Sequence, residues 1–142
     1  SFMSKVAIVF WSATGNTETM ANCIAEGAGA NGTIVPCTEM TPAKLAEFDV
    51  VAFGCPAMGA EQLEESEFEP MFAALEGSLN GKKIALFGSY GWGDGQWMRD
   101  WVQRAQDDGA QLFSEEGLIC NETPDDDVQA ACRKLGADLV AW

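Results

Sequence analysis

Six consecutive residues near the amino end, Ser12-Ala13-Thr14-Gly15-Asn16-Thr17, are of the types that hold an anion. Three hydroxyls and one amide supply neutral donors, and Gly15 lets the backbone wrap closely. The stretch lies between an apolar run and a helical one, so the first amides of a helix open into it. Backbone N–H groups, hydroxyls and the helix dipole together form a nest for phosphate. The stretch has no lysine or arginine, and the G-K-[ST] ending that reaches the outer phosphates of a nucleoside triphosphate is missing. A monophosphate ester held by uncharged donors suits it better. The competing reading is a polar turn with an ordinary helix cap.

Two later stretches are equally unusual. Met58-Gly59-Ala60-Glu61 reads as a turn in which Gly59 can take positive φ, giving the adjoining peptide more than one orientation. Taken alone, Met58 is a core filler and Glu61 a solvated charge. Tyr90-Gly91-Trp92-Gly93-Asp94-Gly95 frames an aromatic with glycines, a costly turn unless its backbone must approach something. The dinucleotide fingerprint G-x-G-x-x-G competes for this stretch. Position 96 is Gln, however, and the loop follows the fourth apolar run instead of the first.

For these stretches to meet, the elements between them must form a sheet whose strands end at one edge. The apolar run 6–11 predicts a strand covered on both faces, and 17–28 a helix stopped by Gly29 and Gly32. A short strand over 33–37 follows, then a helix to residue 48 capped by Thr41 with Pro42 at its first position. Further strands are expected over 49–54 and 83–89, with a helix over 68–79 between them. A helix over 96–108 turns Trp97, Trp101, Val102 and Ala105 inward, an interrupted edge strand covers 111–120, and a helix over 125–141 opens on three aspartates. Five strands alternating with helices predict an α/β fold with a doubly wound parallel sheet, and ligands beyond the carboxyl ends of its strands.

The 142 residues suit one domain, expected over 3–142, with Ser1-Phe2 ahead of Met3 set aside as an appended remnant. No apolar run approaches the ~20 residues that span a bilayer, and no basic leader marks secretion. Five cysteines without a C-x-x-C pair point to free thiols in a reducing cytoplasm and away from a metal site. With no histidine, Ser-His and Cys-His nucleophiles are excluded. Any redox chemistry must come from a cofactor. A net charge of −14 argues against nucleic acid and anionic membranes as partners.

The pattern [ST]-x-T-G-x-T of the flavodoxins is matched by Ser12, Thr14, Gly15 and Thr17. The chain also resembles the short flavodoxins of anaerobic bacteria through Gly54-Cys55-Pro56-Ala57-Met58-Gly59, Glu64-Glu65-Ser66-Glu67-Phe68-Glu69-Pro70 and the stretch from Gly88 to Gly95. The resemblance implies a flavodoxin-like three-layer α/β/α fold with strand order 2-1-3-4-5 and one non-covalent FMN. It implies that Met58 and Trp92 cover the two faces of the isoalloxazine, the latter by stacking, while Glu61 accepts from ring N3. The Gly59 carbonyl would accept from protonated N5 after a peptide flip, favouring a neutral semiquinone. Ala60 stands where several relatives carry a polar or acidic residue; its Cβ restricts the turn and leaves one charge fewer near N5. Pro56, Ala57, Ser89, Tyr90, Gly91 and Gly93 complete the expected pocket, and Asn121 either reaches the ribityl chain or caps its loop. Glu61, Glu64, Glu65 and Glu67 would disfavour an anionic hydroquinone, giving a low-potential carrier that works between semiquinone and hydroquinone. Such a carrier is expected to be monomeric and to meet redox partners through their basic patches. The rival is an FMN-dependent quinone or nitro reductase on the same fold. A phosphorylated receiver domain lacks its acidic cluster, and a cysteine phosphatase lacks its arginine-ended loop.

Overall fold

The first apolar run forms β1 (Val6–Phe10), whose alternate side chains enter opposite layers. Val6 and Ile8 pack with Met20, Ile24 and Leu139, whereas Ala7 and Val9 pack with Phe53, Phe72 and Trp101. A computed structural model describes residues 3–142; Ser1 and Phe2 lie outside the described residues. With β1 run β2 (Gly32–Ile34), β3 (Val50–Gly54), β4 (Lys83–Tyr90), β5 (Gln111–Leu112) and β6 (Leu118–Asn121). The order is β2-β1-β3-β4-β5, all parallel, and β6 also pairs with β4. The strand order and the three layers are those expected from the sequence.

The interrupted edge strand expected over 111–120 is two strands. β5 pairs with Lys83 and Ile84, and β6 with Phe87 to Tyr90. Between them Ser114-Glu115-Glu116-Gly117 turns away, the Ser114 hydroxyl accepting from the Glu116 amide at 3.1 Å. Ser114 and Gly117, both turn-favouring, bracket the break in pairing. Two further expected elements end early. β2 stops before Pro36, which has no N–H to donate. Lys82 Nζ collects the Leu45 carbonyl at 3.1 Å, and that of Phe48, closing α2 (Pro42–Leu45) after one turn.

Helices α1 (Asn16–Ala28) and α5 (Asp126–Ala141) cover one face; α2, α3 (Phe68–Leu75) and α4 (Gln96–Asp107) lie over the other. Asp125 caps α5, its carboxylate accepting from the Val128 amide at 2.9 Å. α1 and α5 meet backbone to backbone: a Cβ on Gly27 would overlap the Arg133 carbonyl, and one on Gly136 the Ile24 carbonyl. All five cysteines are buried free thiols. Among the described residues no helix is long and apolar enough to cross a membrane.

Arg104 clamps α4 to α3 and the turn after it, binding Glu76 through Nε (2.9 Å) and Nη2 (2.6 Å) and Glu69 through Nη1 (2.7 Å). Asp108 follows α4, and its Oδ2 is buried with no donor to it. Burial, then the neighbouring Glu76 carboxylate, pushes the Asp108 carboxyl up to about 6. A carboxyl raised above its unfolded value stabilises fully below that value, about 3.9. The contribution is lost as pH rises through about 6. Urea midpoints are therefore expected to fall between pH 5 and pH 7.5, by on the order of 1 kcal/mol after screening at this half-buried site. Asp108→Asn should flatten that slope; an unchanged slope would show that the proton is held elsewhere.

Candidate functional site

Because every strand runs the same way, the loops after β1, β3 and β4 meet at one edge of the sheet. At the start of α1, Gly15 takes φ +98° and has open space where a Cβ would stand. Ser12 Oγ accepts from the amides of Gly15 (3.2 Å) and Glu18 (3.3 Å), and the Thr19 hydroxyl donates to the Gly15 carbonyl at 3.0 Å. The amides of Asn16 and Thr17, opening the helix, have no intrahelical acceptor. Thr17 is buried, and its hydroxyl lies 2.8 Å from that of Ser89, whose amide also donates to it. These paired hydroxyls tie the first loop to the end of β4.

Ser12, Ala13, Thr14, Asn16 and Thr17 line a cavity of about 370 Å³ together with Pro56, Ala57, Met58, Ser89, Tyr90 and Gly91. No cation lines it; its one charged side chain is Glu122. Met58 also lines a second cavity of about 300 Å³ with Trp11, Gly59 and Glu65, and so stands between the two. Met58 and Gln62 exchange amide–carbonyl bonds of 2.8 and 2.9 Å, making a hairpin with Gly59, Ala60 and Glu61 at its tip. Gly59 has φ +51° and Glu61 φ +53°, the latter unusual for a residue with a Cβ. Glu61 Oε1 is buried with no donor, and it lies where a Cβ on Gly93 would stand. That contact explains one glycine of the third loop. Trp92 is 67% exposed on the same rim.

The structure draws two distinctions the sequence did not. Glu64 belongs to the frame, not to the acidic rim. It is buried, and its carboxylate accepts from the Ser66 hydroxyl and from the amides of Ser66 (2.7 Å), Glu67 (2.9 Å) and Phe68 (2.8 Å), capping α3. Burial alone would raise its carboxyl; the Ser66 hydroxyl and those amides hold it below the ordinary glutamate value. Asn121 does not line the cavity: its Nδ2 donates to the Tyr90 carbonyl at 3.3 Å. Glu122 and Thr123 line it in its place. Both directly follow a strand's carboxyl end, and that position was the signal available for finding them. Cys55 is structural: burial pushes its thiol up to about 12, while its carbonyl accepts from Trp97 Nε1 at 3.1 Å.

An open, doubly wound parallel sheet with a cation-free anion nest at its carboxyl edge defines a mononucleotide-binding α/β protein. The flavodoxin family model matches residues 8–135. The chain is 48% identical over 134 residues to a flavodoxin of Megasphaera elsdenii, covering 92% of this chain and 95% of that one. It is 43% identical over 136 residues to a flavodoxin of Clostridium beijerinckii, covering 94% and 97%. The solution structure of two-electron reduced Megasphaera elsdenii flavodoxin superposes with a TM-score of 0.82 at 43% identity, covering 96% of this chain and 99% of that one. The chain belongs to the flavodoxin family. As a flavodoxin it is an electron carrier whose redox group is FMN. Its residues fit that group: a nest of neutral donors for one phosphate, a buried carboxylate oxygen lacking a donor, and an exposed indole beside it.

Proposed function

We propose that the three loops divide the holding of FMN among them, a reading carried chiefly by the donorless Glu61 oxygen beside the glycine-framed Trp92 loop. Ser12, Ala13, Thr14, Gly15, Asn16 and Thr17 hold the phosphate through hydroxyls and amides. Pro56, Ala57 and Met58 form the inner wall, and Trp92, with Tyr90, Gly91 and Gly93, the outer one. Glu61 accepts from ring N3. Ser89 acts through Thr17, and Asn121 through the Tyr90 carbonyl. Bound FMN supplies one-electron chemistry at its ring. The 59–61 turn offers that ring a peptide able to present either its carbonyl or its N–H, because Gly59 tolerates both hands of φ.

The exposed carboxylates Glu65 and Glu67, with Glu61, disfavour further negative charge at the site. Each acts with on the order of 1 kcal/mol before screening, or tens of millivolts. They lower the potential of the second electron and offer basic patches on partner proteins a salt-sensitive landing. The protein is read as a single domain over 3–142, a cytoplasmic monomer that passes electrons between enzymes without turning over a substrate of its own. Walls on both faces of the ring leave little space for the substrate a quinone or nitro reductase would need. Reductive titration of the FMN-loaded protein, followed by absorbance, is expected to show two well-separated one-electron steps. A single two-electron step, or failure to take up FMN, would overturn the reading.

A further inference from the structure

We propose that Arg99 is a positioning residue for the cofactor: its guanidinium latches the loop carrying Trp92 to α4 and so sets where the indole stands. The inference rests on the FMN reading above. Burial fixes only Gly95, at the helix end of the loop, and leaves residues 91–94 exposed. Residues 91–95 contain three glycines, of which Gly93 (φ +85°) and Gly95 (φ +94°) are left-handed, and Trp92 points into solvent. By contrast α4 is anchored, with Trp97 and Trp101 buried in the core. From the end of the first turn of α4, Arg99 reaches back over the loop. Its Nη1 donates to the Asp94 carbonyl at 3.0 Å, and its Nη2 to Asp94 Oδ1 and Gln96 Oε1, each at 2.9 Å. On its other side the loop abuts Glu61 at Gly93.

A planar fork of donors fixes direction, whereas an ammonium acts as a point charge. The Arg99–Asp94 pair is exposed, so it contributes little to global stability. Its effect belongs to the loop and to the cofactor, not to unfolding.

The test compares Arg99→Ala, Arg99→Lys, Asp94→Ala and the double variant Arg99→Ala/Asp94→Ala. In the FMN-free protein, amide hydrogen exchange over residues 91–95 is expected to quicken several-fold in both Arg99 variants while the urea midpoint stays put. FMN affinity should weaken about two- to fivefold, with a changed visible circular dichroism of the bound flavin. The double variant should lose less than the product of the two single losses. Full rescue by Arg99→Lys would show that charge alone matters and would overturn the latch, as would unchanged exchange and affinity in Arg99→Ala. A wild-type protein that takes up no FMN would instead strike the FMN reading, and the exchange measurement would still test the latch.

Discussion

Trp92→Ala is expected to weaken FMN binding about 5- to 150-fold while leaving the FMN-free fold intact. Stacking of an aromatic on a nucleic-acid base contributes about 1–3 kcal/mol, and each 1.4 kcal/mol is tenfold in affinity. The indole is 67% exposed, so the folded chain gains little from it, and its loss opens no cavity. Cofactor affinity and stability should therefore separate. Quenching of FMN fluorescence on binding measures the first and urea denaturation of the FMN-free protein the second. Trp92→Phe should recover part of the affinity, because a smaller ring keeps the stacking face. Equal affinity in wild type and Trp92→Ala would remove Trp92 from the site.

The second large effect lies far from the loops. Gly136→Ala is expected to destabilise by about 1–3 kcal/mol, although alanine at an open helical site would gain about 1 kcal/mol over glycine. The sign reverses because the added methyl would overlap the Ile24 carbonyl and the Ala28 amide. Both belong to backbone, so neither can swing aside, and α1 and α5 must move apart. α1 also begins with the phosphate loop, so a shift of that helix should be felt in FMN affinity as well. Gly77→Ala is the control: nothing lies within 4 Å of its added methyl, and it should be neutral or slightly stabilising. A urea midpoint for Gly136→Ala at or above wild type would mean that the two helices are less closely packed than described.

The three loops were legible in the sequence because each carries its signal locally. Hydroxyls around Gly15, a glycine turn after Met58 and glycines around Trp92 are all visible within six residues. The same holds for one cap: Thr41 accepts from the Lys44 amide, as its type and position predicted. Glu64 shows where this kind of reading stops. In sequence it is one glutamate of an acidic run. Only the path of the chain from Leu63 into α3 buries it and turns three amides onto it. Asn121 is similar, since its choice of the Tyr90 carbonyl depends on the parallel pairing of β6 with β4.

By itself the sequence determined the alternation of strands and helices, the inward face of the helix over 96–108 and the neutral, phosphate-sized character of the first loop. These follow from side-chain type and from periods of 2 and 3.6 residues, which act over a few positions. The tertiary structure alone decided the backbone contact of Gly27 and Gly136, the raised Asp108 carboxyl and the fork of Arg99 over the Trp92 loop. Each of these depends on distances across the folded chain and on how much water is excluded there, quantities that a linear order of residues does not carry.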